Sequence, residues 1–482
     1  MDENMNVIDK NMAAIYGLEQ NQQYEVKSID PLLLLSSARL DIAAKIIYLK
    51  YSGEKFAEEL YKKHIKAVTK YSIVEMGNRS KNGYRAYMDS FEKLNESITA
   101  EGYLESCIPI PVNIEGIPLD GAHRIASAIV NKKNVNIVYL PVRNSDIFDY
   151  RYFQKYDMAG GFLDMIMQEY IYLKKDIFMV NIWPIASHKK EEIEKRLKLF
   201  GDIVYEKEIP ITYNGMFNYM HQIYGKDAWV GTIKNDFGGT YRKVEPCFSN
   251  ESPLCLIVFE KKSEKSILDI KEDLRSFFHM GKHSLHINDT KEEAIEIANI
   301  LCNENSIHFL NYGNPLKYKR WYKSFLNRKN ELRQACAVTS SSVLALYGIR
   351  EANDWDIVGN GNAIVDSHNE WISMYGKTLT ELVYDSRNYL VYHKVKFLSL
   401  DNVYTFKSVR NEGKDQDDLR LIEVFRNECS GNIRMSSLVK KKLIETKRRF
   451  ISILQGNIIR LAHLTHTYYL LRRIYHFFIK EA

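Results

Sequence analysis

Three short stretches of this chain gather residue types that handle phosphate. In "LDGAHRIASAIV" (119–130), Asp120, Gly121, His123 and Arg124 fall within five positions, between a β-like run and a helix-like run. Backbone N–H groups at a helix start, with the positive end of its dipole, favour an anion. A glycine lets that anion come close, and imidazole and guanidinium add donors. Asp120 is repelled by a phosphate unless it serves a metal or a hydroxyl proton, so it is read as a catalytic base. The competing reading makes Asp120 a helix cap and leaves His123 and Arg124 on a solvated face.

The second stretch, "KEDLRSFFHMGKHSLHINDTKEEAIEIANIL" (271–301), holds Arg275, His279, His283, His286 and Asp289. Its histidines lack the spacing of a full metal-ligand set. A phosphate-handling histidine beside Arg275, or an inert turn histidine, are the two readings left. The third, "VTSSSVLALYGIREANDWDIV" (338–358), sets serines ahead of an Asp-x-Asp pair. Alternation on a strand puts Asp354 and Asp356 on one face, where two carboxylates repel unless a divalent cation sits between them. Ser341 and Ser342, opening a helix, are expected to hold phosphates. Downstream, Lys407 and Arg410 are candidates to reach a triphosphate. A third carboxylate is not evident: "KVKFLSL" carries Lys396, leaving Asp385 or Asp401.

These stretches need elements to hold them. Apolar spacing near 3.6 predicts helices within 31–70, over 85–103 and after Gly121. "CIPIPVNIEGIPLDG" alternates like a hairpin turning near Gly116, and 135–142 reads as a strand. Strands are predicted at 176–185 and 202–212 around a helix closed by Gly201. "ACAVTSSSVLALYGI" reads as a helix before a strand at "DWDIV", and a helix follows at 417–427. With 482 residues the chain exceeds one core, and no repeat is visible. The expected class is a multidomain α+β or α/β protein divided as 1–150, 151–315, 316–432 and 433–482.

Charge is uneven. The net charge is +6, yet from Arg434 onward eleven Lys/Arg face two Glu, a local +9 that leaves −3 elsewhere. This is a slightly acidic protein with a basic tail. The tail interleaves its cations with Ile, Leu, Phe and Tyr, a pattern that suits packing on its own protein or an anionic membrane surface. Nucleic acid is the weaker fit, given the acidic remainder. Six cysteines lack metal or redox spacing and read as free thiols. No signal-peptide pattern or long apolar run occurs, so a cytoplasmic protein is expected, with peripheral contact at the inner membrane face through 433–482.

Family patterns sharpen the three stretches. Residues 85–145, with their D-G-x-H-R signature, resemble the ParB/sulfiredoxin fold. That resemblance implies nucleotide binding by Gly121, His123 and Arg124. Ala122 stands where sulfiredoxin has its cysteine, and no helix-turn-helix unit follows, so the kinase branch fits best. Residues 176–312 resemble a nucleoside diphosphate kinase, a ferredoxin-like fold; this implies Arg275 as a phosphate ligand and His286 as the phosphorylated residue. Trp183 and His283 depart from that family's lysine and asparagine. Residues 338–358 look like a minimal nucleotidyltransferase, with Ser341 where the family has glycine.

Together these resemblances imply a nucleotide-dependent phosphotransferase and nucleotidyltransferase acting on a small hydroxyl-bearing acceptor, with Mg²⁺ and ATP or CTP as cofactors. The combination is similar to proteins of bacterial surface-polysaccharide modification, an analogy at family level. The alternatives are a ParB-type DNA-binding or nuclease protein, and a non-catalytic nucleotide-sensing scaffold. Nucleoside diphosphate kinase folds often assemble, so oligomerisation is open.

Overall fold

A computed structural model describes residues 24–464 with Ala14, Tyr16 and Thr467, apart from 76–77, 102–107, 144, 279, 334–335, 360–365 and 433–434. Cys107 and His279 therefore lie outside the described residues. The protein is mixed α and β, with several small sheets.

In the first 150 residues the strands are β1 (Val26–Ile29), β2 (Val74–Glu75), β3 (Asn78–Asn82), β4 (Ile110–Val112) and β5 (Val135–Tyr139). β5 is central, antiparallel to β1 and parallel to β4; β2 and β3 form a separate hairpin. The predicted helices appear as Leu40–Lys50, Lys55–Val68 and Tyr84–Glu101. Instead of a full hairpin, the run before Gly121 makes β4 and one bridge, Val112 to Pro118, around Gly116. Gly121, at φ +85°, turns the chain into the helix Ala122–Val130, whose Ile125, Ala126 and Ala128 are buried. Burying each large aliphatic side chain contributes about 1.5–3 kcal/mol, enough to fix which face of that helix turns inward.

The middle of the chain adds β6 (Ile177–Ile182), β7 (Gly201–Ile209), β8 (Leu254–Lys261) and β9 (Leu285–Ile287). They form one antiparallel sheet in the order β7-β8-β6-β9. Alternation divides β8 between two cores: Leu254, Leu256 and Val258 face the main one, while Cys255, Ile257 and Phe259 face a second. The helices Lys190–Leu197 and Ile267–Ser276 cover that second face through Ile193, Leu197, Ile270 and Leu274. Burial on both faces explains why β8 reads as a nearly unbroken apolar run.

The last sheet contains β10 (Cys336–Thr339), β11 (Asp356–Gly359), β12 (Asp366–Ser367), β13 (Tyr389–Tyr392) and β14 (Val395–Leu398), in the order β12-β11-β10-β14-β13. Here the sequence expectation needs correction. Residues 336–339 are strand, and the helix is only Ser341–Leu346. Four buried residues, two of them β-branched, pair with β11 on one side and β14 on the other, which overrides the helical spacing. The helices Leu400–Arg410 and Gly413–Cys429 follow.

One apolar cluster runs from Leu34 to Ile444, joining the first and last sheets to the inner face of the middle one. The basic tail begins as a helix, Met435–Leu464. No described helix is long and apolar enough to cross a membrane. The five described cysteines, Cys247, Cys255, Cys302, Cys336 and Cys429, are free thiols.

Candidate active site

At the D-G-x-H-R junction, His123 packs against neighbouring aromatic side chains. His123 Nε2 is 2.8 Å from the Tyr61 hydroxyl, and its ring meets Phe91 edge-on at 4.6 Å. Burial, aided by Lys45, Lys81 and His64, holds this imidazole well below its ordinary pKa and therefore neutral. Behind it, Lys45 Nζ lies 3.3 Å from His64 Nε2 and donates to Asp41 Oδ2 at 3.0 Å. Arg39 closes the network with a two-pronged contact to Asp41 at 2.8 and 2.9 Å. Burial alone would raise Asp41, but Arg39 and Lys45 hold its carboxyl far below the usual range.

In place of the expected phosphate, His123 meets Tyr61 of the helix Lys55–Val68 and Phe91 of the helix Tyr84–Glu101. Arg124 donates to the Ile108 carbonyl and lies 3.7 Å from Asp120. Its guanidinium also fills the approach to Gly121, where an added Cβ would meet Arg124 Nη2 at 3.0 Å. The close phosphate contact expected of Gly121 and Arg124 is thus taken by the protein's own side chain. Asp120 remains exposed.

The second stretch opens onto a cavity of about 600 Å³. Arg275, at the end of the helix Ile267–Ser276, and His286, on β9, both line it. So do Arg242, Lys243 and Lys282, which sequence spacing did not connect to them. His286 has partners at both ring nitrogens: Nε2 is 2.9 Å from Glu293 Oε1 and Nδ1 is 3.2 Å from the Tyr224 hydroxyl. A phosphorylated His286 would have to give up one of them. Trp183, buried where the kinase pattern has lysine, stacks on the same ring at 6.3 Å.

The cations of this cavity are crowded. Burial pushes the Lys243 ammonium down; Cys247 opposes that, while the charges of Arg275 and Lys282 reinforce it. Arg275 Nε is buried without a partner among the described residues. An anion entering here would satisfy that donor and relieve the repulsion. Lys271, by contrast, is paired with Asp289.

The third stretch opens onto a separate cavity of about 640 Å³. Ser341, Asp354, Asp356 and Lys407 line it, with Arg350, His368 and Arg410. Asp354 lies in the bend just before β11 instead of on the strand, and its exposed carboxylate accepts the Ser341 hydroxyl at 2.7 Å. Asp356 opens β11 and is 8% exposed, with His368 Nε2 at 3.4 Å. Burial pushes Asp356 up, but His368, the Ser340 hydroxyl and Lys407 outweigh it and hold the carboxyl below its ordinary value. It is ionised near neutral pH.

Two expectations change at this site. The backbone position suited to glycine is Ser340, at φ +56° and ψ −128°, and not Ser341. Ser342 is fully buried, donating to the Asp354 carbonyl at 2.9 Å and taking Trp321 Nε1 at 3.3 Å. Its expected phosphate role is corrected to that of a brace for the 354 bend.

Lys407 is held from behind, 3.0 Å from Asp415 and 2.9 Å from Asp418. Arg410 forks onto Asp415 at 2.8 and 2.7 Å, and Arg350 onto Asp418 at 2.6 and 2.8 Å. Three cations on two carboxylates make a stiff wall with charge to spare. Sequence reasoning missed Arg350, Asp415 and Asp418, because a turn between two helices carries Asp415 and Asp418 back onto Lys407. Neither candidate for a third carboxylate belongs here: Asp385 pairs with Arg387 and Asp401 with Arg426. Among the described residues no group of three or more His, Cys, Asp or Glu could hold a metal ion.

No protein-family model, curated protein or solved structure matches this chain significantly.

Proposed function

We propose that this chain is a nucleotide-dependent phosphotransferase or nucleotidyltransferase acting on a small hydroxyl-bearing acceptor, with surface-polysaccharide biosynthesis as its setting by analogy. The observation that carries this reading is the convergence of Ser341, Asp354, Asp356 and Lys407 on one cavity from three separate elements. The carboxylates of Asp354 and Asp356 suit an oxygen-loving divalent cation and would hold Mg²⁺ together with nucleotide phosphates and water. Bound there, the ion supplies charge neutralisation to a triphosphate. Arg350, Lys407 and Arg410 orient phosphate oxygens from a wall that Asp415 and Asp418 keep in place. Asp120 lines neither cavity and is assigned no step.

The cation-rich cavity at Arg275 supports a second phosphate site. Its sheet order and its two helices on one face agree with the ferredoxin-like, nucleoside diphosphate kinase-like reading of 151–315. Two observations favour a different reading, a nucleotide-sensing scaffold without turnover. Both His286 nitrogens are engaged, and Lys407 is matched by buried carboxylates.

Transfer assays distinguish the two. Incubation with Mg²⁺ and ATP or CTP labelled at the α- or γ-phosphate, over a panel of hydroxyl acceptors, is expected to give labelled product that Asp354→Asn/Asp356→Asn abolishes. Tight nucleotide binding with no product from any acceptor supports the scaffold. Absence of binding overturns both.

A further inference from the structure

The tail helix Met435–Leu464 carries large apolar side chains that nothing in the described structure covers. Leu443, Phe450, Leu454, Ile458, Leu461 and Leu464 are all between 45% and 73% exposed. Their spacings of seven, four, four, three and three residues keep them on one face of a helix. Among the described side chains of the helix, Ile444 and Ala462, each offset by one or two positions from this stripe, go inward, and Ile444 joins the main core. The helix is therefore seated on the protein by a different edge, and the apolar stripe is left outward along most of its length. A stripe this long on an exposed helix is costly in water and marks an interaction surface.

Charge decides among the occupants. From Arg434 to the end of the sequence, eleven cationic side chains stand against two glutamates, while the remainder of the chain is net negative. A second copy of this helix, with seven cations against one Glu, would bring +6 against +6, and residues 465–482 carry three more cations against one Glu, so both are repelled. An anionic bilayer attracts the cations and receives the apolar stripe at once. The same helix is not long and apolar enough to cross a membrane. We infer that the helix 435–464 lies in the plane of an anionic lipid surface, with the Leu443–Leu464 stripe inserted below the headgroups and the neighbouring lysines and arginines at their level.

This inference is independent of the nucleotide reading. Flotation of the full chain with vesicles of phosphatidylcholine alone, and of phosphatidylcholine mixed with phosphatidylglycerol, tests it. The expected result is binding to the mixed vesicles only, weakened by salt and reduced at least tenfold in Phe450→Asp/Leu454→Asp. Both positions are exposed, so the thermal unfolding of that variant should match the parent. Failure of the parent chain to float with anionic vesicles overturns the proposal. So does equal binding by the variant, which would mean attraction by charge alone. Sedimentation that shows a dimer dissociated by the same substitutions, without vesicle binding, assigns the stripe to a second copy and also overturns it.

Discussion

The D-G-x-H-R junction and the Ser340–Asp356 region are both short, polar and placed beside the start of a helix, yet the first packs against its own neighbours and the second lines a cavity. At the first, His123 is held between Tyr61 and Phe91, and Arg124 folds back over Gly121. At the second, the exposed Asp354 and the largely buried Asp356 line a cavity, and the nearby cations are anchored from behind by Asp415 and Asp418. A motif supplies residue types. Whether those groups meet a ligand depends on what stands behind them. Where buried carboxylates hold the cations, the wall remains open; where helices press against the motif, its own donors are used in packing.

The contrast can be broken by substitution. The largest effect belongs to Asp354→Asn/Asp356→Asn, which should lower transfer by on the order of 10³-fold, read from labelled product. Next, Arg275→Ala/Lys243→Ala should weaken anion binding in the other cavity by about 2–3 kcal/mol, the worth of charge-assisted hydrogen bonds, and titration with inorganic triphosphate measures it. His123→Ala should do the reverse. It should cost about 2 kcal/mol of stability in denaturant melts and leave nucleotide affinity unchanged. A drop in affinity with unaltered stability would return the junction to the phosphate sites.

Acid provides a finer test of the same residue. Its pKa lies well below the ordinary 6.5 in the fold because of burial, so the unfolded chain takes up a proton that the folded chain refuses. The neutral form's contribution is complete above pH 6.5 and is lost as pH falls from there toward the folded pKa. Over that window His123→Ala should flatten the pH dependence of unfolding by about 1.4 kcal/mol per pH unit. The smallest effect is expected of Gly121→Ala, about 1 kcal/mol from the positive φ, with Arg124 displaced.

Much of the fold was legible because its elements obey strong periodicities. The helices around 40–68 and 84–101, and strands β5, β6 and β7, fall where apolar spacing predicts them. β10 was misread as helix: its four residues are decided by neighbours sixty residues downstream in β14 as much as by their own types. At the sites, Arg275 and His286 were found because they sit in one stretch, and Asp354 and Asp356 for the same reason. Arg242, Lys243 and Arg350 were not found, because only folding brings them beside those residues. Charged residues this frequent carry no spacing signal of their own. Ser340 left one trace, a serine triplet where a strand must turn sharply, but which of the three takes the positive φ is a property of the backbone.

Under the proposed function, two separate cavities bind nucleotide phosphates, one through an acidic pair and one through crowded cations. Calorimetric titration of ATP and CTP with Mg²⁺ into the parent chain, Asp354→Asn/Asp356→Asn and Arg275→Ala/Lys243→Ala tests it most directly. Two binding events are expected in the parent, with a different one lost in each variant. A parent chain that binds neither nucleotide would contradict the proposal.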